Sequence, residues 1–283
     1  MAQSIRSFLK QAYEITLPMS DTAHLDAQVL VAHALGKTRS WVLAHPEAII
    51  TPEEKQRLDE LLDRLGEGEP LPYLLGRWEF YGLEFTITPD VLIPRPETEL
   101  LVEQAITWLR SKLAALLAAD VGTGSGCIAI SLAVHAPHLK VIASDISLPA
   151  LRVAYANAAR HRVDERVFCA QSDMLPATGR AFNLVCANLP YIPSAELARL
   201  KVYRREPTLA LDGGPDGLRA IRKLLYGLAG RLAEEALLLL EIEETVGEAA
   251  KALAMNFYPQ ARVDLLQDVA EKDRLVRVVL PGE

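Results

Sequence analysis

The stretch Asp120-Val-Gly-Thr-Gly-Ser-Gly126 decides the fold. It follows an apolar run, residues 115–121, which predicts a buried strand, and it precedes residues 127–135, which predict a helix. Glycines between a strand and a helix let the backbone turn sharply and approach a ligand closely. The stretch therefore predicts an α/β sheet with a ligand site at the end of this strand.

Helix and strand patterns alternate along the chain after residue 97. The predicted helices span residues 98–113, 127–135, 148–161, 218–233 and 246–255, and the predicted strands span residues 115–121, 141–144, 167–171, 182–187, 236–242, 262–266 and 275–280. Such alternation is typical of a doubly wound, mostly parallel α/β sheet, here seven-stranded, with helices on both faces. Because only about eight residues separate the last two strands, we expect them to form an antiparallel C-terminal hairpin.

The N-terminal part of the chain shows only helical patterns and predicts a small α-helical bundle. Asp21 is a candidate N-cap of one helix, and Thr51-Pro-Glu-Glu54 is a strong start for another. The glycines and prolines of residues 66–72 break the pattern, and residues 78–88 alternate around Gly82 as in a β-hairpin. We therefore predict a helical domain over residues 1–65, a linker with a β-hairpin over 66–90 and an α/β domain over 91–283.

Composition and charge limit the classes of function. The chain has 283 residues, of which 50% are hydrophobic and 24% charged, as in soluble globular proteins, and a net charge of −7. An acidic chain is not attracted as a whole to nucleic acid or to anionic membranes. The most apolar run, residues 236–240, is too short for a membrane span, and the first 20 residues lack the apolar core of a signal peptide. Three widely spaced cysteines predict neither disulfides nor a metal site, so we expect a cytoplasmic protein without a metal.

Details of the glycine loop limit the range of ligands that it could bind, although NAD, FAD and S-adenosylmethionine sites all use such loops. The carboxylate of Asp120 suits a ligand with an ammonium group, and Gly122, Thr123, Gly124, Ser125 and Gly126 would form the contact surface. Neither the GxGxxG spacing nor a following Lys-Ser/Thr pair is present. Asp145, which ends the next strand, can accept hydrogen bonds from both hydroxyls of a ribose, or it can cap the next helix. A nucleoside ligand is therefore predicted, without a choice among the three.

The loop after the third predicted strand of this domain carries Asp173 and Met174. In a sheet of this topology, that loop reaches the adenine edge of a bound nucleoside. Asp173 can accept from an exocyclic amine and Met174 can pack on the ring, although an ordinary solvated loop is the alternative.

The turn Asn188-Leu189-Pro190-Tyr191 directly follows the strand at 182–187, so it lies at the carboxyl edge of the sheet, where ligands bind in such folds. The side-chain oxygen of Asn188 and the carbonyl of Leu189 can accept the two hydrogens of a planar –NH₂ group. Pro190 stiffens the turn and Tyr191 offers a ring face for stacking. These residues therefore predict transfer of a carbon group to an amide or amine nitrogen, with Asn188, Pro190 and Tyr191 as catalytic candidates.

The chain resembles the protein-(glutamine-N5) methyltransferases that modify peptide chain release factors. Matching segments occur along nearly the whole chain: Pro72-Tyr-Leu-Leu-Gly76, Glu79-Phe80, Leu92-Ile-Pro-Arg-Pro-Glu-Thr-Glu99, the glycine loop, Glu206-Pro207, Ala210-Leu-Asp-Gly-Gly214 and Asp216-Gly217. The Ile-Pro-Arg-Pro-Glu-Thr-Glu block is the most specific of them, because glycine loops and Asn-Pro-Tyr turns occur in many methyltransferases.

This resemblance implies a class I methyltransferase domain that uses S-adenosyl-L-methionine and leaves S-adenosyl-L-homocysteine. It implies methylation of N5 of the glutamine in the Gly-Gly-Gln loop of a release factor, whose body the helical domain engages. The family's donor site carries over to residues 122–126, Asp145, Met174 and Asn188, and its substrate-amide site to residues 188–191. We expect a monomer that acts in the cytoplasm.

The sequence departs from the family pattern at three places. Leu189 stands where the family usually has proline, but the expected contact there is a backbone carbonyl, which leucine retains. The run Glu241-Ile-Glu-Glu-Thr245 replaces the usual Glu-Ile-Gly with a following glutamine, and Met174 stands at an often aromatic position.

Asn-Leu-Pro-Tyr is also the turn of the rRNA adenine dimethyltransferases, so an adenine-N6 methyltransferase acting on rRNA or DNA is an alternative. Such an enzyme needs a basic surface near its site, whereas residues 1–75 hold seven basic and eleven acidic residues, a net charge of −4. We interpret the basic cluster Arg199, Lys201, Arg204 and Arg205 mainly as solvated or partner-contacting surface. A ribosomal-protein glutamine is an alternative substrate, and the intact turn disfavours a non-catalytic binding module.

Overall fold

The computed structural model describes residues 3–112, 115–200 and 203–282, so Lys201 and the predicted last residue of the helix at 98–113 lie outside the described residues. The chain divides into two compact units, Met1–Arg77 and Trp78–Glu283. In the described ranges, no helix combines the length and the apolar character that a membrane span requires.

The first unit is helical. Its helices are α1 (Ile5–Thr16), α2 (Ala23–Leu35), α3 (Arg39–Ala44), α4 (Pro52–Gly66) and α5 (Leu71–Leu75). The α4 start is a capping box, in which the Thr51 hydroxyl accepts from the Glu54 N–H and the Glu54 carboxylate accepts from the Thr51 N–H. The prediction of Asp21 as an N-cap is wrong, because α2 begins after Thr22, and the Thr22 side chain makes no capping bond.

The second unit begins with a β-hairpin and continues with alternating helices and strands. Its elements are β1 (Arg77–Phe80), β2 (Leu83–Thr86), α6 (Thr98–Arg110), β3 (Leu117–Val121), α7 (Cys127–His135), β4 (Lys140–Asp145), α8 (Leu148–Arg160), β5 (Val167–Gln171), β6 (Phe182–Ala187), β7 (Ile192–Pro193), α9 (Ser194–Leu197), β8 (Asp212–Gly214), α10 (Arg219–Gly227), β9 (Leu232–Glu241), α11 (Gly247–Phe257), β10 (Arg262–Gln267) and β11 (Asp273–Leu280). Tyr81 and Gly82 connect β1 to β2 with positive φ angles, the conformation that a two-residue hairpin turn requires.

The central sheet confirms the predicted fold class. Its seven strands lie in the order β10-β11-β9-β6-β3-β4-β5. The strands from β9 to β5 are parallel, and β11 is antiparallel to both β9 and β10, as expected for a C-terminal hairpin. β3 is fully buried, so the strand that precedes the glycine loop lies in the middle of the core.

The end of one predicted helix is wrong. The pattern predicts a helix over residues 218–233, but α10 ends at Gly227, and β9 already begins at Leu232. Leucines at 224, 225, 228 and 232 keep the helical spacing, although the chain turns away at Gly230, which has φ +68°. Leu228 follows the last residue of α10 and is still fully buried in the core. The spacing of apolar residues therefore continues past the end of the helix.

Candidate active site

The carboxyl ends of the central strands bring the predicted site residues together. In the sheet register, Val121 pairs with Ser144 on one side and with Ala187 on the other, and Ala187 in turn pairs with Leu240. The next residue of each strand or turn therefore lies at the same edge: Gly122, Asp145, Asn188 and Glu241. The first three line a cavity of ≈ 320 Å³, a size typical of small-molecule sites.

The glycine loop forms one wall of this cavity. The N–H groups of Gly122 and Thr123 donate to the carbonyl of Ser144 at 2.8 and 2.9 Å, which fixes the loop against β4. Gly124 has φ +53°, and a Cβ there would meet no atom within 4 Å. At Gly126, a Cβ would lie 2.9 Å from Ile130 and 3.2 Å from Ala154, so only glycine permits the close packing of this turn on α8. The loop thus offers bare backbone to a ligand.

Asp120 lies beneath this loop, fully buried at the end of β3. Its Oδ2 accepts hydrogen bonds from the Thr123 hydroxyl at 2.6 Å and from the Ala129 N–H at 3.1 Å, while Oδ1 has no partner among the described residues. Burial raises the pKa of Asp120 to about 7, although these two bonds lower it. The carboxylate therefore supports the loop from below.

Asp145 ends β4 and faces the cavity. Its Oδ2 accepts from the N–H of Gly124 and its Oδ1 from the N–H of Ser147, both at 2.9 Å. The cap of α8 is instead the Ser147 hydroxyl, which accepts from the N–H of Ala150. Each carboxylate oxygen retains a second lone pair, so the side chain is held in place and can still accept from a ligand.

The loop after β5 also borders the cavity. The carboxylate of Asp173 forms an ion pair with Lys223 of α10, and both residues line the cavity. Met174 has φ +80°, a conformation that few residues other than glycine adopt, and it packs against the core under the sheet. Strain of this kind is found most often at ligand sites, and nothing in the sequence around Met174 indicated it.

The turn after β6 forms the part of the cavity wall next to the glycine loop. Asn188, Leu189 and Pro190 line the cavity, and the side-chain Nδ2 of Asn188 donates to the hydroxyl of Thr98 at 3.1 Å. Leu189 is buried and reaches Gly122, where an added Cβ would lie only 3.1 Å from its Cδ2. The leucine side chain therefore fills the gap between the turn and the loop.

Tyr191 points away from the cavity lining toward β9. Its hydroxyl donates to Oε1 of Glu241 at 3.4 Å. Burial raises the pKa of Glu241 to about 7, although the hydroxyls of Thr98 and Tyr191 lower it. Burial and the Glu241 charge also raise the pKa of Tyr191. In the sequence, Glu241 belongs to the run that departs from the family pattern, and no local signal marks it as a partner of Tyr191.

Two segments that the sequence did not assign to the site hold it in shape. β7, just after Tyr191, pairs with β8, and Gly213 and Gly217 lie against the Tyr191 backbone so closely that a Cβ would approach it to 2.7 and 2.4 Å. The buried carboxylate of Glu206 accepts from the N–H of Ile93 and from the guanidinium of Arg95. The two Glu206 contacts join residues more than a hundred positions apart, which local sequence patterns do not reveal.

Two family descriptions match separate parts of the chain. Residues 2–76 match the PrmC N-terminal domain, and residues 98–203 match the methyltransferase small domain. The first match lies within the helical unit, and the second includes the glycine loop and the turn at residues 188–191.

Two named relatives match most of the chain. The chain is 44% identical to a release factor glutamine methyltransferase of Moorella thermoacetica over 88% of its own length and 89% of that protein. It is 43% identical to a protein of the same name from Bordetella pertussis, over 81% of this chain and 85% of the relative. A methyltransferase from Pyrococcus furiosus, 17% identical, has the same fold with a TM-score of 0.52 over 72% of this chain and 91% of its own.

Proposed function

The chain belongs to the family of release factor glutamine methyltransferases, and from this premise we propose that it methylates the side-chain amide nitrogen, N5, of the glutamine in the Gly-Gly-Gln loop of a peptide chain release factor. The amide site that we propose consists of Asn188, Leu189 and Pro190, which line the cavity, together with Tyr191, which holds the turn from behind through its bond to Glu241.

The donor that we propose is S-adenosyl-L-methionine, and features of the cavity support it. Gly124 leaves open space beside the backbone, and Asp145 keeps free lone pairs where ribose hydroxyls would lie. Asp173 and Met174 border the cavity where an adenine would lie. When bound, S-adenosylmethionine supplies an electrophilic methyl group on a positively charged sulfur and leaves as S-adenosyl-L-homocysteine.

The observation that carries the proposed amide site is the hydrogen bond from Asn188 Nδ2 to Thr98. Because the –NH₂ end of the Asn188 side chain is occupied by Thr98, its carbonyl end is left for a donor in the cavity. A substrate amide presents two N–H groups, which the Asn188 oxygen and the Leu189 carbonyl would accept together. An amide nitrogen is a poor nucleophile because its lone pair is delocalised, and two fixed acceptors orient it toward the methyl group. The excess proton leaves after the new N–C bond has formed.

The helical unit is the proposed contact for the body of the release factor. Its match to the PrmC N-terminal domain and the net charge of −4 over residues 1–75 support a protein partner more than RNA. We propose that the enzyme acts as a monomer. We propose that the enzyme acts in the cytoplasm, a reducing compartment in which its three cysteines remain free thiols.

A competition for the methyl group tests the function. The purified enzyme receives labelled S-adenosylmethionine with equal amounts of a release factor, a release factor whose loop reads Gly-Gly-Ala, ribosomal protein and rRNA. We expect label in the Gly-Gly-Gln protein alone. Label in rRNA alone would overturn the proposal, and label in the ribosomal protein alone would assign a different glutamine.

A further inference from the structure

We propose that Arg95 binds main-chain carbonyl oxygens of the substrate loop, and that Glu206 is the positioning residue that holds the Arg95 guanidinium for this contact. This inference rests on the proposed function, because it extends the amide site to the peptide that would carry the glutamine. Neither residue is part of the proposed donor site or of the turn at residues 188–191.

A buried carboxylate fixes the Arg95 side chain in the cavity wall. One oxygen of Glu206 accepts from the Arg95 guanidinium, and the other accepts from the N–H of Ile93 at 3.1 Å, so both the side chain and the nearby backbone are held. The Glu206 side chain is only 2% exposed, whereas 31% of the Arg95 side chain remains exposed, and Arg95 lines the cavity. The ion pair therefore orients a guanidinium that a ligand can still reach.

The Arg95 guanidinium has N–H groups that are still available. An arginine side chain carries several N–H donors, and among the described residues only Glu206 accepts from that of Arg95. Such donors in a cavity wall favour an oxygen acceptor, either a carbonyl or a carboxylate. Because Glu206 balances the charge, Arg95 can offer these hydrogens without adding net positive charge near a sulfonium donor.

Principles of the sheet and two hydrogen bonds place Arg95 beside the amide site. The N–H of Thr98 donates to the Arg95 carbonyl at 3.1 Å, and the Thr98 hydroxyl accepts from Asn188. The residues proposed for the nucleoside, Asp145 and Asp173, lie at or just after the ends of β4 and β5, on the other side of β3 from β6. The acceptor that Arg95 meets is therefore expected on the substrate side of the cavity.

The chain after Glu206 completes a surface suited to a peptide backbone. Pro207 and Leu209 line the same cavity, and Leu209 is 61% exposed. The N–H of Ile192, just after the turn, donates to the carbonyl of Leu211 at 3.1 Å, so this segment is attached to the amide site. An extended loop that entered here would cover the exposed leucine and bring its main-chain carbonyls to the guanidinium. Glycines next to the glutamine have no side chains that would keep the backbone away.

The test compares Arg95→Lys with Arg110→Lys, the same change at an exposed residue at the end of α6. Lysine keeps the charge next to Glu206, but it lacks the planar fork that can bond a carboxylate and a carbonyl in fixed directions. We expect kcat/KM for the release factor to fall about 10- to 100-fold in Arg95→Lys, as for the loss of a hydrogen bond from a charged group. The Kd for S-adenosylmethionine, measured by calorimetry, should remain that of wild type, and Arg110→Lys should match wild type in both measurements.

A double-variant cycle separates positioning from structural support. Glu206→Gln removes the charge that holds the guanidinium, although its amide oxygen can still accept from the N–H of Ile93. We expect Glu206→Gln to lower kcat/KM as Arg95→Lys does, and the double variant to be no slower than either, because Glu206 acts through Arg95. Thermal melts show which variants are folded, and Arg95→Lys alone decides the contact if Glu206→Gln does not fold. Wild-type kcat/KM in Arg95→Lys would overturn the inference, as would additive losses in the double variant.

The donor is the other source of an oxygen acceptor, because S-adenosylmethionine carries a carboxylate. A weakened Kd for S-adenosylmethionine in Arg95→Lys that accounts for the whole loss of kcat/KM would assign the guanidinium to that carboxylate and overturn the contact with the substrate. If the wild-type enzyme binds S-adenosylmethionine but leaves the release factor unlabelled, the proposed function fails instead.

Discussion

The role that we propose for Asn188 requires that the two ends of its side-chain amide be distinguished. Its nitrogen donates to Thr98, so its oxygen is the end available at the cavity. An alanine at this position would remove the proposed acceptor and leave the cavity walls made by β3, β4 and β5 unchanged. Substitution of Asn188 therefore tests methyl transfer separately from binding of the donor.

We predict that Asn188→Ala lowers the rate of methyl transfer about 100-fold or more, the loss typical of removing one fixed polar group that acts on the reacting atoms. The Kd for S-adenosylmethionine should rise only about threefold, because a single peripheral contact is lost. Single-turnover labelling and calorimetry measure the two effects. Asn256→Ala, at an exposed position of α11, is the control, and normal turnover by Asn188→Ala would remove the amide site from the proposal.

Asn157 shows how one buried side chain connects three segments. Its Oδ1 accepts from the N–H of Thr86, and its Nδ2 donates to the carbonyls of Thr86 and Ser125, at distances of 2.8 to 3.0 Å. The side chain thus joins β2, α8 and the glycine loop. A polar residue that is completely buried is retained only when its hydrogen bonds are satisfied, as they are here.

We predict that Asn157→Ala lowers the free energy of unfolding by about 3 kcal/mol, because three backbone groups lose their partners. The change should also weaken binding of S-adenosylmethionine, since the carbonyl of Ser125 lies in the loop that forms the cavity wall. Denaturant melts and calorimetry measure these effects, with Arg152→Ala on the exposed side of the same helix as the control. A loss below about 1 kcal/mol would mean that water replaces these bonds.

At the scale of elements, the two-stranded pairing of β7 and β8 fixes the end of the turn at residues 188–191. Gly213 and Gly217 approach the Tyr191 backbone so closely that no side chain fits. Gly217 also has φ +72°, so a substitution there meets both backbone strain and a clash. Gly230 has a similar φ, +68°, but open space around it. Gly217 and Gly230 therefore form a matched pair for substitution: their backbone conformations are alike, and only the space around them differs.

We predict that Gly217→Ala lowers methyl transfer about tenfold or more, because the Tyr191 carbonyl must move away from the new Cβ. Gly230→Ala should cost only about 1 kcal/mol of stability from its left-handed backbone and leave the rate unchanged. Rates at saturating donor, together with thermal melts, distinguish the two. Equal rates in both variants would mean that the close approach of Gly217 to the Tyr191 carbonyl does not position the turn.

The contrast between these elements explains what the sequence could predict. The glycine loop, Asp145 and the turn at Asn188 each follow a strand with a strong local pattern, so parallel pairing was enough to bring them to one edge. β7 and β8 have only two and three residues and pair across 20 and 21 positions, so no local periodicity marks them. The partners Thr98–Asn188 and Arg95–Glu206 are likewise separated by 90 and 111 positions. The structure was needed to find contacts that depend on tertiary packing.

At the scale of the whole molecule, two carboxylates lie in buried positions where ionisation is unfavourable. Asp120 and Glu241 are both buried at the carboxyl edge of the sheet, and burial raises the pKa of each to about 7. Between about pH 4 and 7, the folded protein holds these protons while the unfolded chain has lost them. The unfolded state then binds fewer protons, so the free energy of unfolding falls as the pH rises through this window. The fold loses stability by keeping two ionisable groups at the site.

We predict that Asp120→Asn is more stable than wild type by on the order of 2 kcal/mol at pH 8, and that this advantage shrinks at pH 5, where Asp120 is already neutral in the folded protein. The Glu241 contribution is present in both proteins, so the difference between them isolates Asp120. Denaturant melts of wild type and variant at the two pH values measure it.

Asp120 lowers the stability of the fold, but we expect its charge to strengthen binding of the donor. The proposed donor carries positive charge at its sulfonium and ammonium groups. The ionised Asp120 lies directly under the loop and would attract that charge through a region of low polarity. We therefore expect wild type to bind S-adenosylmethionine more tightly at pH 8 than at pH 6, and the variant to lose this dependence. Calorimetry on both proteins measures it. If the variant binds with the same pH dependence as wild type, the charge of Asp120 does not contribute to donor binding, and its place in the fold is only that of a support for Thr123.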